Sequence, residues 1–230
     1  MIADAEILRK NYLFQDVPTD VLERLADRLQ HRKFKADQTI FLEGAPGNAL
    51  FLIVEGEVRI SILSPTNENL TLALLYPGDT FGELSLFDDQ DRRSATATAT
   101  MDTMLLVIYH DDFQQAVEND PAAFRSFLKV MADLIRRMNE RIKTVAMLGI
   151  PGRVAKVFLD MAARHGAPHP DGIKIDHELS YEDIAGLSLM YRGDVMHVME
   201  GWQLEKYLYL EDDRWVIARK DVLEFAAAPS

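Results

Sequence analysis

A short central stretch of the chain combines a glycine, a carboxylate, an arginine and a serine. Gly82 and Glu83 are adjacent, and Arg93 and Ser94 begin ten residues after Glu83. Glycine lets a backbone N–H approach a ligand because it has no Cβ, and the Glu83 carboxylate can accept hydrogen bonds from ribose hydroxyls. Arginine carries a planar fork of donors that fits a phosphate, and Ser94 adds a hydroxyl beside it. These residues predict a cyclic-nucleotide pocket; the alternative is a surface loop whose charges are only solvated.

The composition excludes several classes of protein. The chain has 230 residues, a net charge of −12 and no cysteine, so a disulfide framework and a thiolate-bound iron–sulfur cluster are both excluded. No apolar run of about eighteen residues occurs, and the acidic N-terminus lacks the layout of a signal peptide. We therefore expect a cytoplasmic protein with no membrane partner.

Motifs for catalysis are missing from the sequence. No Ser-His-Asp set, Walker loop or paired-carboxylate pattern stands out, so the sequence predicts that the chain is not an enzyme. His165, His169 and His177 lie near Asp171 and Asp176, but their spacing fits no compact metal motif. A solvated, turn-rich loop is the favoured interpretation, and we expect neither a metal nor haem.

The N-terminal half changes from helical to strand periodicity. Residues 5–31 carry apolar residues at helical spacing, whereas from Phe34 to Tyr109 short apolar runs alternate with Gly- and Pro-containing turns such as Pro65-Thr66-Asn67. Closely spaced short strands of this kind predict an antiparallel jelly-roll barrel. The expected strands are 39–42, 50–54, 58–63, 70–75, 95–100 and 104–109.

A long helix follows the expected barrel. Asp120-Pro121 places proline at a first helical position, and apolar residues then recur at spacings of three and four as far as Leu148. This pattern is typical of a coiled-coil seam and predicts a homodimer formed through residues 121–148. A helix that packs within its own domain would explain part of it. Residues 149–152 (Gly-Ile-Pro-Gly) then predict a break that serves as a hinge.

The C-terminal part has the pattern of a winged helix-turn-helix. An amphipathic helix is expected at 153–165, a turn-rich loop at 166–172 and a strand at 173–177. Ser180 with Asp183 suggests a helix N-cap, after which a helix-turn-helix would extend to about Lys206 and a hairpin would follow at 207–218. The fold class is therefore α+β, with a β jelly-roll domain at 1–120, a dimerisation helix and hinge at 121–149, and an effector domain at 150–230.

Three local motifs resemble the cyclic-AMP receptor protein family, the CRP/FNR regulators. They are the stretch from Phe81-Gly82-Glu83-Leu84-Ser85-Leu86-Phe87 to Arg93-Ser94-Ala95, the junction Gly152-Arg153, and His169-Pro170-Asp171-Gly172. The resemblance covers nearly the whole chain. It implies a cyclic-nucleotide-responsive homodimeric transcription regulator, with cyclic AMP as the first-choice effector and DNA as a partner. RNA polymerase or another protein is an additional partner that the resemblance leaves open.

The resemblance also assigns residues to the two sites. Ligand contacts are implied for Gly82, Glu83, Leu84, Arg93, Ser94 and Asn139, and DNA contacts for Arg192, His197 and Arg214. Two polar residues of the family's long helix hydrogen-bond adenine, and here those positions hold Met138 and Asn139. Asn139 can pair with a base edge but Met138 cannot, so a different base or an empty pocket stays open.

The expected DNA-binding end departs most from the family pattern. Leu189 stands where the family has glycine, Tyr191 stands at the capping position, and Gly193 replaces a glutamate. Between Ser180 and Phe225 there are ten acidic and five basic residues, the reverse of the balance that phosphate contact favours. Two outputs therefore remain: a regulator that reads DNA, or a cyclic-nucleotide-sensing dimer that has lost DNA binding and acts through protein–protein interaction.

Overall fold

The computed structural model describes residues 2–63, 69–86, 92–117 and 120–228, with the backbone alone at residues 2, 3, 137 and 141. Phe87 of the sequence motif and the expected turn at 65–67 lie outside these ranges. The chain divides into two units. The first comprises Met1–Ile62 and Ala73–Arg137, and the second comprises Leu63–Leu72 and Met138–Ser230.

Among the described residues, two helices precede the strands of the first unit and two more follow them. The helices are α1 (Ile2–Lys10), α2 (Thr19–Ala26), α3 (His110–Val117) and α4 (Pro121–Met147). The strands are β1 (Gln30–Phe34), β2 (Thr39–Phe41), β3 (Ala49–Glu55), β4 (Val58–Leu63), β5 (Asn69–Leu75), β6 (Thr80–Phe81), β7 (Thr96–Ala99) and β8 (Thr103–Tyr109). Strand β5 and helix α4 each extend into the second unit, at 69–72 and 138–147. A 3₁₀ turn spans Glu83–Leu86.

The strands form two four-stranded sheets, ordered β1-β8-β3-β6 and β2-β7-β4-β5. The central pair β3 and β8 is antiparallel, with Leu50 opposite Ile108 and Leu52 opposite Leu106. These four side chains are buried, in a core that also receives residues of α1, α2 and α4. The antiparallel jelly-roll predicted from the short apolar runs is confirmed.

Strand β1 differs from the sequence-based expectation. Residues 30 and 31 were expected to end a helical segment, but Gln30–Phe34 pairs in register with β8, Gln30 opposite Val107. All but the last of its residues are exposed. An exposed edge strand needs no apolar alternation, so its polar sequence gives no periodic signal.

Helix α4 begins where Pro121 predicted it. The Asp120 carboxylate caps the helix by accepting hydrogen bonds from the backbone N–H groups of Ala122 and Ala123, both at 3.0 Å. One face, including Phe127 and Val130, is buried in the core of the first unit. A second apolar face is exposed and consists of Phe124, Leu128, Ile135, Met138 and Ile142.

The described residues of the second unit form four further helices and a four-stranded sheet. The helices are α5 (Ile150–His165), α6 (Tyr181–Ser188), α7 (Arg192–Leu204) and α8 (Lys220–Ala226). The strands β9 (Gly166–His169), β10 (Gly172–Ile175), β11 (Leu208–Glu211) and β12 (Arg214–Ile217) are ordered β11-β12-β10-β9. The predicted helix-turn-helix and wing are present. Strand β9 occupies a stretch that was expected to be loop, and α8 was not expected.

Trp215 anchors the core of the second unit. Its indole N–H donates to the Leu179 carbonyl at 3.0 Å, and its ring lies edge-on against Phe158 at 5.6 Å.

The described part of segment 63–72 contacts α6: the Thr71 hydroxyl donates to the Asp183 carboxylate at 3.2 Å. A Cβ at Gly186 would lie 2.2 Å from the Thr71 carbonyl oxygen, so this close approach requires glycine.

The break between α4 and α5 is shorter than the sequence predicted. Helix α5 already begins at Ile150, with Gly149 as its N-cap and Pro151 in its first turn, a position that proline favours. The Arg153 guanidinium donates to the carbonyls of Leu148 and Val145, at 3.1 and 2.6 Å. Arg153 thereby satisfies carbonyls at the C-terminal end of α4.

Among the residues described, no helix is both long and apolar enough to cross a bilayer.

Candidate ligand-binding and effector sites

Gly82 occupies a turn between β6 and the 3₁₀ turn that only glycine adopts easily. Its φ of 75° lies in the left-handed region. A Cβ at this position would lie 2.5 Å from Nη1 of Arg93 and 3.0 Å from the Ala49 carbonyl oxygen. Gly82 therefore permits both the turn and the close approach of Arg93.

The Arg93 side chain is buried against this turn. Nη1 donates to the Ser85 hydroxyl at 2.9 Å, and Nη2 donates to the Ala49 carbonyl at 2.9 Å. A longer contact of 3.4 Å joins Nη1 to the Gly82 carbonyl. The guanidinium carbon lies 4.2 Å from the centre of the Phe41 ring, a distance at which a cation is attracted to the ring face. The structure thus brings Gly82 and Arg93 together.

Main-chain hydrogen bonds hold the Arg93 backbone beside the loop at 44–47. The Arg93 N–H donates to the Ala45 carbonyl at 2.9 Å, and the Gly44 N–H donates to the Arg93 carbonyl at 2.8 Å. Ser94 follows directly and is exposed, as is Leu84, while Glu83 is half-buried. The groups expected to contact ribose and phosphate therefore lie on two segments, Gly82–Leu84 and Arg93–Ser94. The Arg93 side chain joins these segments.

Sequence reasoning did not identify the groups that surround Arg93. Ser85 is fully buried, and its carbonyl oxygen lies 3.0 Å from Nδ1 of the buried His110. Phe41 comes from β2 and Ala49 from β3. Ser85 lies within the motif at 81–87, but the motif gives it no role. No local motif marks Phe41 or Ala49, because they reach Arg93 only through the packing of strands that are distant in sequence.

The two positions expected to meet the base lie on α4. Met138 and Asn139 are both exposed. Both stand in the part of α4 that belongs to the second unit. The structure therefore leaves Asn139 as an expected base contact that is accessible on the helix surface.

The helix-turn-helix contains both irregularities that the sequence suggested. Leu189 ends α6 in the left-handed conformation, with φ 55° and ψ 46°, which costs a non-glycine residue roughly 1 kcal/mol or more. Tyr191 is the N-cap of α7 and makes no side-chain capping hydrogen bond. The capping box at Ser180 and Asp183, in contrast, is complete. The N-terminus of α6 is therefore stabilised by side-chain capping, whereas the turn from α6 into α7 is strained.

The cations expected to contact DNA are engaged by nearby acids. Nε of Arg192 lies 2.6 Å from the Glu182 carboxylate, and Nη1 of Arg214 lies 2.7 Å from that of Glu178. The hydrogen bond from Arg214 to Glu178 raises the pKa of Arg214 above its ordinary value, and the same bond lowers the pKa of Glu178. His197 is exposed on α7. Arg192 is the first residue of α7 and Arg214 the first residue of β12, and the charge of each is balanced by an acid of the same unit.

The histidine cluster considered from the sequence is only partly assembled. His165 and His177 stack with ring centres 5.1 Å apart, while Nε2 of His169 lies 3.3 Å from Glu211. Within the described ranges there is no group of three or more His, Asp or Glu side chains that could hold a metal ion.

Comparison with known proteins supports the same architecture. Residues 31–120 match the family model of the cyclic nucleotide-binding domain. The chain is 30% identical over 218 residues to the CRP-like cAMP-activated global transcriptional regulator of Mycobacterium tuberculosis, a match that covers 95% of this chain and 97% of that protein. It is 28% identical over 186 residues to the cAMP-activated global transcriptional regulator CRP of Salmonella typhimurium, covering 80% and 88%.

A solved structure agrees with the fold described above. The CRP-family transcriptional regulator TTHB099 of Thermus thermophilus superposes with a TM-score of 0.68 at 25% identity, covering 85% of this chain and 96% of that one. The α+β fold predicted from the sequence is confirmed, and so is the expectation of a regulator rather than an enzyme. The chain belongs to the CRP family of transcriptional regulators.

Proposed function

We propose that this chain is a cyclic-nucleotide-responsive homodimeric transcription regulator, in which ligand binding reorients the C-terminal domain for DNA binding. The observation that carries the proposal is the buried Arg93 guanidinium held against Gly82. A buried cation oriented by fixed acceptors is a suitable receptor for a phosphate.

The residues around Arg93 suggest how a cyclic nucleotide would be held. Arg93 and the Ser94 hydroxyl would bind the cyclic phosphate, and Glu83 would accept hydrogen bonds from the ribose. Leu84, which is exposed beside Glu83, would cover an apolar edge of the ligand, and Asn139 would meet the base. Cyclic AMP is the first-choice effector, because two similar regulators are described as cAMP-activated.

A second copy of the chain is the proposed partner of α4. Five apolar side chains on one face of the helix are each more than half exposed. Their spacing of seven, three and four residues from Leu128 to Ile142 fits a coiled-coil seam. We propose a parallel dimer through residues 121–148, in which Asn139 of one protomer lies near the pocket of its partner.

The proposed output is DNA recognition by α7, with one half-site per protomer. Arg192, His197 and Arg214 would make the DNA contacts, and RNA polymerase is a further proposed partner.

The proposed division of the chain is a ligand-binding domain at 1–120, a dimerisation helix and hinge at 121–149, and an effector domain at 150–230. The proposed location of the protein is the cytoplasm.

One set of observations favours a second candidate function. The ion pairs of Arg192 and Arg214 and the strained turn at Leu189 weaken the surface that would contact phosphates. A cyclic-nucleotide-sensing dimer that acts through protein–protein interaction fits these features. Precipitation of the tagged protein with cross-linked DNA, with and without cyclic AMP, distinguishes the two: paired half-sites about one helical turn apart support the regulator, and flat DNA enrichment with reproducible protein partners supports the alternative.

Isothermal titration with cyclic AMP tests the ligand-binding step. We expect Arg93→Ala to abolish or strongly weaken binding, because it removes the phosphate donor. Arg92→Ala is the matched control, since Arg92 is adjacent and exposed and donates only to the Gly44 carbonyl among the contacts described. Absence of heat with cyclic AMP, cyclic GMP and cyclic dinucleotides would reject the proposal.

A further inference from the structure

We propose that Ser85 is a positioning residue for ligand binding: its hydroxyl holds the Arg93 guanidinium in the orientation that receives the cyclic phosphate. The inference rests on the proposed function, since it assigns a role within the same pocket. Ser85 lies in the 3₁₀ turn, two residues after Glu83, and has no solvent exposure.

Two hydrogen bonds fix the rotation of the guanidinium within its own plane. The Ser85 hydroxyl accepts from Nη1 and the Ala49 carbonyl accepts from Nη2, both at 2.9 Å. Because these acceptors engage different terminal nitrogens, the guanidinium cannot turn without breaking one of them. Both acceptors are neutral, so they orient the group without themselves cancelling its charge.

Aromatic rings also hold the guanidinium in place. The Arg93 guanidinium carbon lies 4.2 Å from the Phe41 ring centre and 5.5 Å from that of Phe51. Phe41 is itself held by Phe51 at 5.6 Å and by Phe81 at 5.8 Å. A cation over a ring that is itself packed against its neighbours is held to that ring face.

Ser85 is in turn held by its own surroundings. Its N–H donates to the Gly82 carbonyl at 3.3 Å, and its carbonyl lies 3.0 Å from the His110 imidazole. A Cβ at position 47 would lie 2.4 Å from the Ser85 hydroxyl oxygen, so Gly47 leaves the space that this hydroxyl occupies. The hydroxyl is thus placed before any ligand arrives, which reduces the ordering cost of binding.

The test compares Ser85→Ala with Ser61→Ala. Ser61 is a buried serine in β4, 7% exposed, and serves as a matched control. We expect Ser85→Ala to weaken cyclic AMP binding about tenfold, as for loss of a hydrogen bond to a charged group, and Ser61→Ala to leave it unchanged. Ser85→Gly removes the same hydroxyl and serves if the alanine variant does not fold.

A double-mutant cycle separates positioning from general damage to the pocket. In an Arg93→Lys background the guanidinium is absent, so Ser85→Ala should cause no further loss of affinity. A full tenfold loss in that background, or a gain of affinity in Ser85→Ala alone, would overturn the inference. The gain would mean that Ser85 holds Arg93 away from the ligand.

The ligand-free protein provides a readout that does not depend on cyclic nucleotide. Nuclear magnetic resonance of the Arg93 guanidinium, assigned with Arg93→Lys, should show resolved Nη protons in the wild type that average in Ser85→Ala. If the wild type binds no cyclic nucleotide, the proposed function fails and this spectrum alone decides whether Ser85 holds Arg93. Unchanged Nη signals in Ser85→Ala contradict the inference.

Discussion

Nε of Arg192, at the start of α7, lies 2.6 Å from the carboxylate of Glu182 in the preceding helix. Arg192 is one of the residues for which the family resemblance implies a DNA contact. Both side chains are more than half exposed, so the pair is accessible and weak, worth up to about 1 kcal/mol. A DNA phosphate or base at this position would have to displace an acid of the protein itself.

Removing the carboxylate should therefore strengthen DNA binding. We expect Glu182→Gln to raise the affinity for a mixed-sequence DNA duplex at low salt by up to about fivefold, and Arg192→Ala to lower it. Fluorescence anisotropy measures both. Glu224→Gln removes the same charge from an exposed pair with Lys220 on α8 and controls for net charge. Equal effects of the two glutamine variants would assign the gain to net charge alone.

The turn before α7 should be stabilised by restoring glycine. Leu189 has φ 55°, and relief of this conformation outweighs the extra freedom that glycine gives the unfolded chain. We expect Leu189→Gly to raise the free energy of unfolding by about 0.5–1 kcal/mol, measured by urea unfolding with tryptophan fluorescence. Leu187→Gly, inside α6, should lower it instead. A lower free energy of unfolding in Leu189→Gly would contradict the inference that the backbone at Leu189 is strained.

Two glycines of the effector unit should respond in opposite directions to alanine. A Cβ at Gly201, inside α7, meets no described atom within 4 Å, whereas one at Gly186 would clash with the Thr71 backbone. Gly201→Ala should stabilise the unit by up to about 1 kcal/mol through helix propensity, and Gly186→Ala should destabilise it. Thermal unfolding of both variants measures the difference, and a stabilising Gly186→Ala would show that the Thr71 contact does not form in solution.

The sequence predicted those parts of the fold that depend on local pattern. Proline at 121 and the three-and-four spacing placed α4 correctly, and Ser180 with Asp183 correctly predicted the N-cap of α6. The polar strand β1 was missed because its residues are mostly exposed, and β9 was missed because Gly166, Pro168 and their neighbours are turn formers that here pair with β10. Local pattern carries no signal for a strand that is stabilised mainly by its partner.

The candidate site could be predicted only in part for a related reason. Gly82, Ser85 and Arg93 belong to one motif, but the contact of Ser85 with Arg93 cannot be seen in it. Ala49 and Phe41 meet Arg93 only through tertiary structure. The ion pairs of Arg192 and Arg214 depend on side chains from outside their own elements. A count of acids and bases along the sequence does not reveal which acid engages which base.

The exposed face of α4 should be required for dimer formation. Ile135 lies at the middle of that face and is 59% exposed, so Ile135→Glu would place a charge in the seam. We expect a monomer at micromolar concentration by light scattering. Leu42→Glu introduces a similar change at a comparably exposed position just after β2 and should leave the dimer intact. A wild type that is monomeric would reject the proposed seam.

The stability of the effector unit should fall in mild acid through His165. Burial lowers its pKa below the ordinary value of 6.5, the neighbouring His177 and Arg164 lower it further, and Asp176 opposes them. Because the folded pKa lies below the unfolded one, the unfolded chain binds the proton more readily between the two values. The free energy of unfolding should therefore be constant above that range and decrease as the pH falls through it. Urea unfolding between about pH 5 and 8 should show this slope in the wild type and in the exposed-histidine control His197→Gln, and a smaller slope in His165→Gln. Identical slopes in all three proteins would exclude His165 as the source.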